Sequence, residues 1–237
     1  MAGELTGRAK GLGGATIVFD LDGTLVDTAP DLVGTLNVLL GEEGLPPLPF
    51  DQARPLIGHG ARRLLERGFE AAGAELSGAR MEDLFNRFLA HYSAHIADGS
   101  RPYPGVVEAL GAMKRAGARL AVCTNKPTDL SLALFQALEM TSLFGAVVGR
   151  DAAPAPKPDP RHLQAAIAAA GGTLDRAVMV GDAVTDAEAA RAAGVPLILV
   201  SFGYTEVPAK DLRPDILIDH FDDLPDACVR LLGACRP

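Results

Sequence analysis

Thr16-Ile17-Val18-Phe19-Asp20-Leu21-Asp22-Gly23-Thr24 reads as a buried strand that ends on two carboxylates. Side chains two apart on a strand point the same way, so Asp20 and Asp22 are forced together at its terminus. Two like charges that close are unfavourable unless a cation neutralises them or one carboxyl keeps its proton. Gly23 allows a sharp turn just after the pair. The arrangement suits a carboxylate nucleophile beside an acid/base, with a hard metal ion between protein and substrate.

Outward from this stretch the pattern divides. Residues 28–99 show helical periodicity and no convincing strand; amphipathic helices are expected over 31–40, 61–72 and 81–96. The segment Asp98-Gly99-Ser100-Arg101-Pro102-Tyr103-Pro104-Gly105 is a turn-rich hinge. Beyond it, strand-like runs at 119–123, 146–148, 177–180, 196–201 and 216–218 alternate with helical segments, as a parallel sheet with covering helices would require. The expected architecture is α/β: a three-layer, Rossmann-like parallel-sheet core from 15–27 plus 100–237, with an all-helical cap, 28–99, inserted after the first strand. Residues 1–14, glycine-rich and without an apolar stretch, read as a flexible tail.

Composition narrows the function classes. The 237 residues are 48% hydrophobic and 22% charged, which suits a globular protein large enough for a good core. The net charge of −8 and the lack of a basic block argue against a nucleic-acid partner, and no apolar run is long enough to span a bilayer. Cys123, Cys228 and Cys235 show no disulfide or zinc spacing, which points to a reducing, cytoplasmic setting. A small-molecule partner, bound by a monomer or homodimer, is expected.

Four polar clusters follow, or nearly follow, predicted strands: Asp20 and Asp22; Thr124-Asn125; Lys157-Pro158-Asp159-Pro160; and Gly181-Asp182 through Asp186. A parallel sheet gathers such clusters at the carboxyl ends of its strands. Asp20, Asp182 and Asp186 offer oxygen ligands and a supporting carboxylate for a hard divalent ion, for which Mg2+ fits best. Thr124 and Asn125 offer a hydroxyl and backbone N–H donors for a phosphoryl group, and Lys157 a fixed positive charge. Asp20 can then attack phosphorus, while Asp22 protonates the leaving alcohol and later deprotonates water. His91 and His95 have ligand spacing but lack a third ligand, and read as a solvated or partly packed helix face.

The ordered set D-x-D-G-T, Thr-Asn after a strand, K-P-x-P and G-D-x-x-x-D resembles the haloacid dehalogenase superfamily, and the helical insertion resembles its C1-cap phosphatases. Val26-Asp27-Thr28, Ile57-Gly58-His59-Gly60-Ala61-Arg62, Tyr103-Pro104-Gly105-Val106, Cys123-Thr124-Asn125-Lys126-Pro127 and Phe202-Gly203-Tyr204 are most similar to the phosphoglycolate phosphatases. The resemblance implies a nucleophile at Asp20 and an acid/base at Asp22. It implies Mg2+ held by Asp20, the Asp22 carbonyl and Asp182, with Asp186 behind them near Lys157. It implies hydrolysis of a small phosphomonoester through an aspartyl-phosphate, with 2-phosphoglycolate as the substrate. A sugar-phosphate phosphatase, for example for N-acetylmuramic acid 6-phosphate, and a phosphomutase are the alternatives. His59 or Arg62 is expected to meet the substrate carboxylate from the cap. Ala183 departs from a position often polar in relatives. Residues 28–100 contain no lysine, which leaves the phosphonate hydrolases of the superfamily without their Schiff-base nucleophile.

Overall fold

The structure is a computed structural model and describes residues 2–234. Its elements in chain order are α1 (Ala2–Arg8), β1 (Thr16–Phe19), β2 (Val26–Asp27), α2 (Ala29–Glu42), α3 (Phe50–Ala53), α4 (Ala61–Ala71), α5 (Gly78–Ala94), β3 (Arg101–Pro102), α6 (Val106–Arg115), β4 (Arg119–Thr124), α7 (Thr128–Ala137), β5 (Ala146–Gly149), α8 (Pro160–Ala169), β6 (Ala177–Gly181), α9 (Val184–Ala193), β7 (Leu197–Val200), β8 (Ile216–Ile218) and α10 (Leu224–Ala234). Six strands form one parallel sheet in the order β5-β4-β1-β6-β7-β8.

The sheet is buried on both faces. Ile17 and Phe19 of β1 join Leu120, Val122, Val178 and Val180 in one apolar cluster, while Val18 joins Ala121, Cys123, Ala177 and Met179 in the other. This strict alternation lets a continuous apolar run serve two layers at once. Cys123 is a small core residue, as expected, and burial pushes its thiol up to about 12. From β1 the chain builds the sheet to one side through β4 and β5, then crosses back to β6 on the other side of β1. Such a reversal opens a crevice at the carboxyl ends of the strands.

All elements between Asp27 and Arg101 are helical. Leu84, Phe88 and Tyr92 recur every fourth residue on α5 and are fully buried, with Leu36, Leu40, Leu64, Leu65 and Phe69 in the same cluster. Gly68 of α4 lies against Leu36 of α2, where a Cβ would fall 2.7 Å from the Leu36 methyls. The insert joins the core through a short antiparallel pair, Val26 with Pro102 and Asp27 with Arg101. Asp31 tightens this stalk by accepting the Gly99 N–H, the Ser100 N–H and the Ser100 hydroxyl at 2.6–2.8 Å. Arg54 donates to the Phe202 carbonyl at 2.9 Å and lies 5.0 Å from the Tyr204 ring centroid; Arg67 pairs with Glu206.

The N-terminal expectation requires correction. Residues 2–8 are helical, and Leu5, Ala9 and Leu12 are buried rather than part of a flexible tail. The three apolar residues supply too little pattern to be read locally; α6 and α10 supply the surface they cover. β2 and β3, two residues each, were also beyond any periodicity. Among the described residues, no helix is long and apolar enough to cross a membrane.

Candidate active site

Asp20 and Asp22 emerge from the end of β1 at the crevice. Gly23 follows with φ +84°, and a Cβ there would lie 2.6 Å from Asp182 Oδ2, so the turn needs glycine for both conformation and space. The end of β6 delivers Asp182. Its Oδ1 accepts from the Thr24 hydroxyl at 3.0 Å and its Oδ2 from the Tyr204 N–H at 2.7 Å. Asp186, in the first turn of α9, folds back so that Oδ2 accepts the N–H groups of Asp182 and Ala183, both at 3.1 Å. The carboxylate thus satisfies donors left free at a helix start and sits at the positive end of its dipole.

Lys157 closes this group. Its ammonium, almost wholly buried, lies 2.8 Å from Asp20 Oδ1 and 2.6 Å from Asp186 Oδ1. Burial works against the cation, but Asp186 and Asp20 hold its pKa above the ordinary lysine value. The loop carrying it is clamped from both sides. The Lys157 N–H donates to Asn125 Oδ1 at 3.0 Å, and Asn125 Nδ2 donates to the Lys157 carbonyl at 3.1 Å. The same N–H approaches His162 Nδ1 at 3.1 Å, while His162 Nε2 donates to the Val148 carbonyl at 3.1 Å. His162 is buried, and burial followed by the Lys157 charge lowers its pKa, so the neutral ring that this bonding needs is the favoured form.

Asp20, Asp182 and Asp186 present oxygens within 4.8 Å of one another. Asp20 Oδ1 is buried without an aligned hydrogen bond, although Lys157 stands close. Burial pushes the Asp20 carboxyl up to about 6, with Lys157 pulling down and Asp186 adding to the rise. Burial, Asp186 and Asp20 together hold Asp182 well above the usual carboxylate range. A cluster of buried oxygens that resists carrying its own charge fits a hard divalent cation. Asp186 braces the cluster, with Oδ1 held by Lys157 and Oδ2 by the two N–H groups.

Asp22 is held differently. Thr28 donates to its Oδ1 at 2.7 Å, and Lys126 Nζ lies 3.0 and 3.3 Å from its two oxygens. Lys126 also donates to the Tyr92 hydroxyl at 2.8 Å, with Nζ 4.4 Å from the Tyr92 ring centroid. Asp22, Lys126 and Tyr92 line a cavity of about 60 Å³ between core and insert, room for a few waters or a small anion. Thr124, Asn125, Lys157, Asp182 and Arg150 line its core side; Leu32, Ile57, Leu64, Phe85, Phe88 and Leu89 make most of the opposite wall.

Asp20, Asp22, Thr124, Asn125, Lys157, Asp182 and Asp186 therefore converge, from four separate stretches of sequence. Arg62 does not join them. It pairs with Glu82 at 2.5 and 3.0 Å, packs 4.5 Å from the Phe85 ring centroid, and does not line the cavity. The His59 side chain lies outside the described residues. The sequence reading gave no role to Lys126, Tyr92, Thr28 or His162. Lys126 stood inside one of the family-like stretches, but only its burial distinguishes it from a solvated lysine. His91 and His95 stack at 4.5 Å and bond to Thr35 and Asp98 respectively.

Residues 15–194 match the haloacid dehalogenase-like hydrolase family. The chain belongs to that family. Among its members, a phosphoglycolate phosphatase of Caulobacter vibrioides is 60% identical over 224 residues, 94% of each chain. One from Agrobacterium fabrum is 47% identical over 210 residues, covering 89% of this chain and 90% of the relative. Among solved structures, a predicted phosphoglycolate phosphatase from Haemophilus somnus superposes with a TM-score of 0.83 at 32% identity, over 89% of this chain and 96% of the other.

Proposed function

We propose that this chain hydrolyses 2-phosphoglycolate to glycolate and phosphate, with Mg2+, through an aspartyl-phosphate on Asp20. The observation that carries the reading is the convergence of Asp20, Asp22, Asp182, Asp186 and Lys157 at one end of the sheet, in a chain so close to phosphoglycolate phosphatases. Asp20, the Asp22 carbonyl and Asp182 would hold the Mg2+, which supplies positive charge to offset the phosphoryl oxygens. Thr124 offers its hydroxyl to the phosphoryl group, and Lys157 sets a positive charge beside Asp20. A carboxylate oxygen of Asp20 attacks phosphorus in line as the glycolate oxygen departs. Asp22 gives that oxygen its proton, then takes one from the water that cleaves the aspartyl-phosphate.

Helices 28–99 act in this reading as a cap, whose largely apolar wall excludes water from the reacting centre. That wall offers few partners to the hydroxyls of a sugar phosphate, which favours a small substrate. The protein works in the cytoplasm as a monomer or homodimer. The test is phosphate release, with and without Mg2+, from 2-phosphoglycolate, N-acetylmuramic acid 6-phosphate and several hexose phosphates. Mg2+-dependent release with preference for phosphoglycolate is expected. Preference for a sugar phosphate would overturn the substrate, and no Mg2+-dependent release would overturn the hydrolase.

A further inference from the structure

We infer that Lys126, on the core, is the residue that reads the substrate carboxylate, in place of a cap cation. The inference rests on the phosphoglycolate reading and goes further by assigning the specificity.

A carboxylate-bearing ester brings a negative charge into a site already crowded with Asp20, Asp22, Asp182 and Asp186. Lys157 is committed to Asp20 and Asp186 on the phosphoryl side. The lining residues of the cap include no cation among the described residues, and Arg62 is turned to Glu82. Of the two further core cations in the lining, Arg150 is exposed, and Lys126 is the buried one, on the leaving-group side. Its side chain is 4% exposed and its Nζ is 3.0 Å from Asp22, the residue that faces the departing oxygen. In phosphoglycolate the carboxylate is bonded to the very carbon that carries the ester oxygen. A group within hydrogen-bond reach of Asp22 is therefore also within reach of that carboxylate, provided the ester oxygen sits at Asp22.

Position and partners support the role. Lys126 is held by two elements at once, Asp22 from the core and Tyr92 from α5 of the insert. A buried ammonium is costly unless paired. Here it is pinned in a cavity wall where a ligand anion can share it with Asp22. A charge-assisted hydrogen bond of this kind gives a stronger preference for carboxylate than an apolar wall can.

The experiment compares kcat/KM for 2-phosphoglycolate and ethyl phosphate, in which a methyl replaces the carboxylate. It uses the wild type, Lys126→Met, Lys126→Arg and Tyr92→Phe. The ratio of the two values is the readout, because any disturbance at Asp22 falls on both esters and cancels. In Lys126→Met the ratio should fall roughly 10- to 150-fold, as expected for one hydrogen bond to a charged group. Lys126→Arg should restore part of it. Tyr92→Phe, which frees the ammonium from one partner, should lower it by about threefold. An unchanged ratio in folded Lys126→Met overturns the inference. Should that variant fail to fold, an unchanged ratio in both Lys126→Arg and Tyr92→Phe overturns it instead. A wild type without preference for phosphoglycolate overturns the inference and the substrate reading together; a preference that survives in Lys126→Met overturns the inference alone.

Discussion

Lys157 Nζ donates to Asp186 Oδ1 at 2.6 Å, with both side chains essentially inaccessible to solvent. The pair ties the loop after β5 to the first turn of α9, and through Asp186 Oδ2 it fixes the backbone of Asp182 and Ala183. Removing the carboxylate would leave the buried ammonium with Asp20 alone and take the acceptor from two N–H groups. Asp186→Ala should therefore cost roughly 3 kcal/mol in a denaturant melt. Asp186→Asn, which keeps an acceptor, should lose less stability and weaken turnover without abolishing it. Complete loss of activity from Asp186→Asn with an intact fold would place Asp186 in the chemistry rather than behind it.

Asp20 should show the opposite balance of stability and activity. Its carboxyl is pushed up to about 6 by burial, so its charge is a burden on the metal-free fold. Asp20→Asn should leave the metal-free melting temperature at pH 7.5 unchanged or higher, while steady-state phosphate release falls by about 10⁴-fold or more. Substantial residual turnover would refute the nucleophile assignment.

Metal binding should be linked to protons with a definite sign. A carboxyl whose folded pKa is raised favours the fold most at low pH, and that contribution is lost as pH rises through about 6. Mg2+ bound to ionised Asp20 and Asp182 should return stability above that pH and little below it, where protons occupy the oxygens. The rise in melting temperature on adding Mg2+ should be large at pH 7.5 and small at pH 5. An equal rise at both would mean that the ion binds elsewhere.

Gly23 carries both a left-handed φ and a close approach to Asp182. Gly23→Ala should destabilise by about 1 kcal/mol or more from the backbone alone, and should raise the Mg2+ concentration needed for half-maximal activity by displacing Asp182. Normal Mg2+ dependence in a folded Gly23→Ala enzyme would show that the turn can relax.

Arg62, which the sequence placed against the substrate, is held at the surface by Glu82 and Phe85. Arg62→Ala should change KM for phosphoglycolate by no more than about twofold. A KM increase confined to carboxylate-bearing substrates would show that Arg62 swings inward during turnover.

Much of the molecule could be read directly from the chain. The strand ending in Asp20 and Asp22, the five later strand-like runs and the three long helices of the insert all have periodicities that physical burial imposes locally. Pro160 opens α8 and Gly194 follows the end of α9, the positions where a proline and a glycine suit a helix. The four polar clusters could be assigned to one site because a parallel sheet has one carboxyl edge. Asn125 was legible as a site residue, yet its side chain clamps the Lys157 backbone, a detail no spacing encodes.

What the sequence determined by itself was the set of groups that must meet: two carboxylates two residues apart on a strand, a metal-suited acidic cluster and a cation in a proline-stiffened loop. Charge, hydrophobic period and turn chemistry are local properties, so they survive in one dimension. Only the tertiary structure decided that Lys126 lines the cavity and Arg62 does not, because burial and partners separate them and neither is written in the residue type. Lys126 is drawn inward by Asp22, far earlier in the chain, and by Tyr92 on the insert; Arg62 is drawn outward by Glu82. The same holds for Leu5, Ala9 and Leu12, whose burial depends on α6 and α10 being present to cover them.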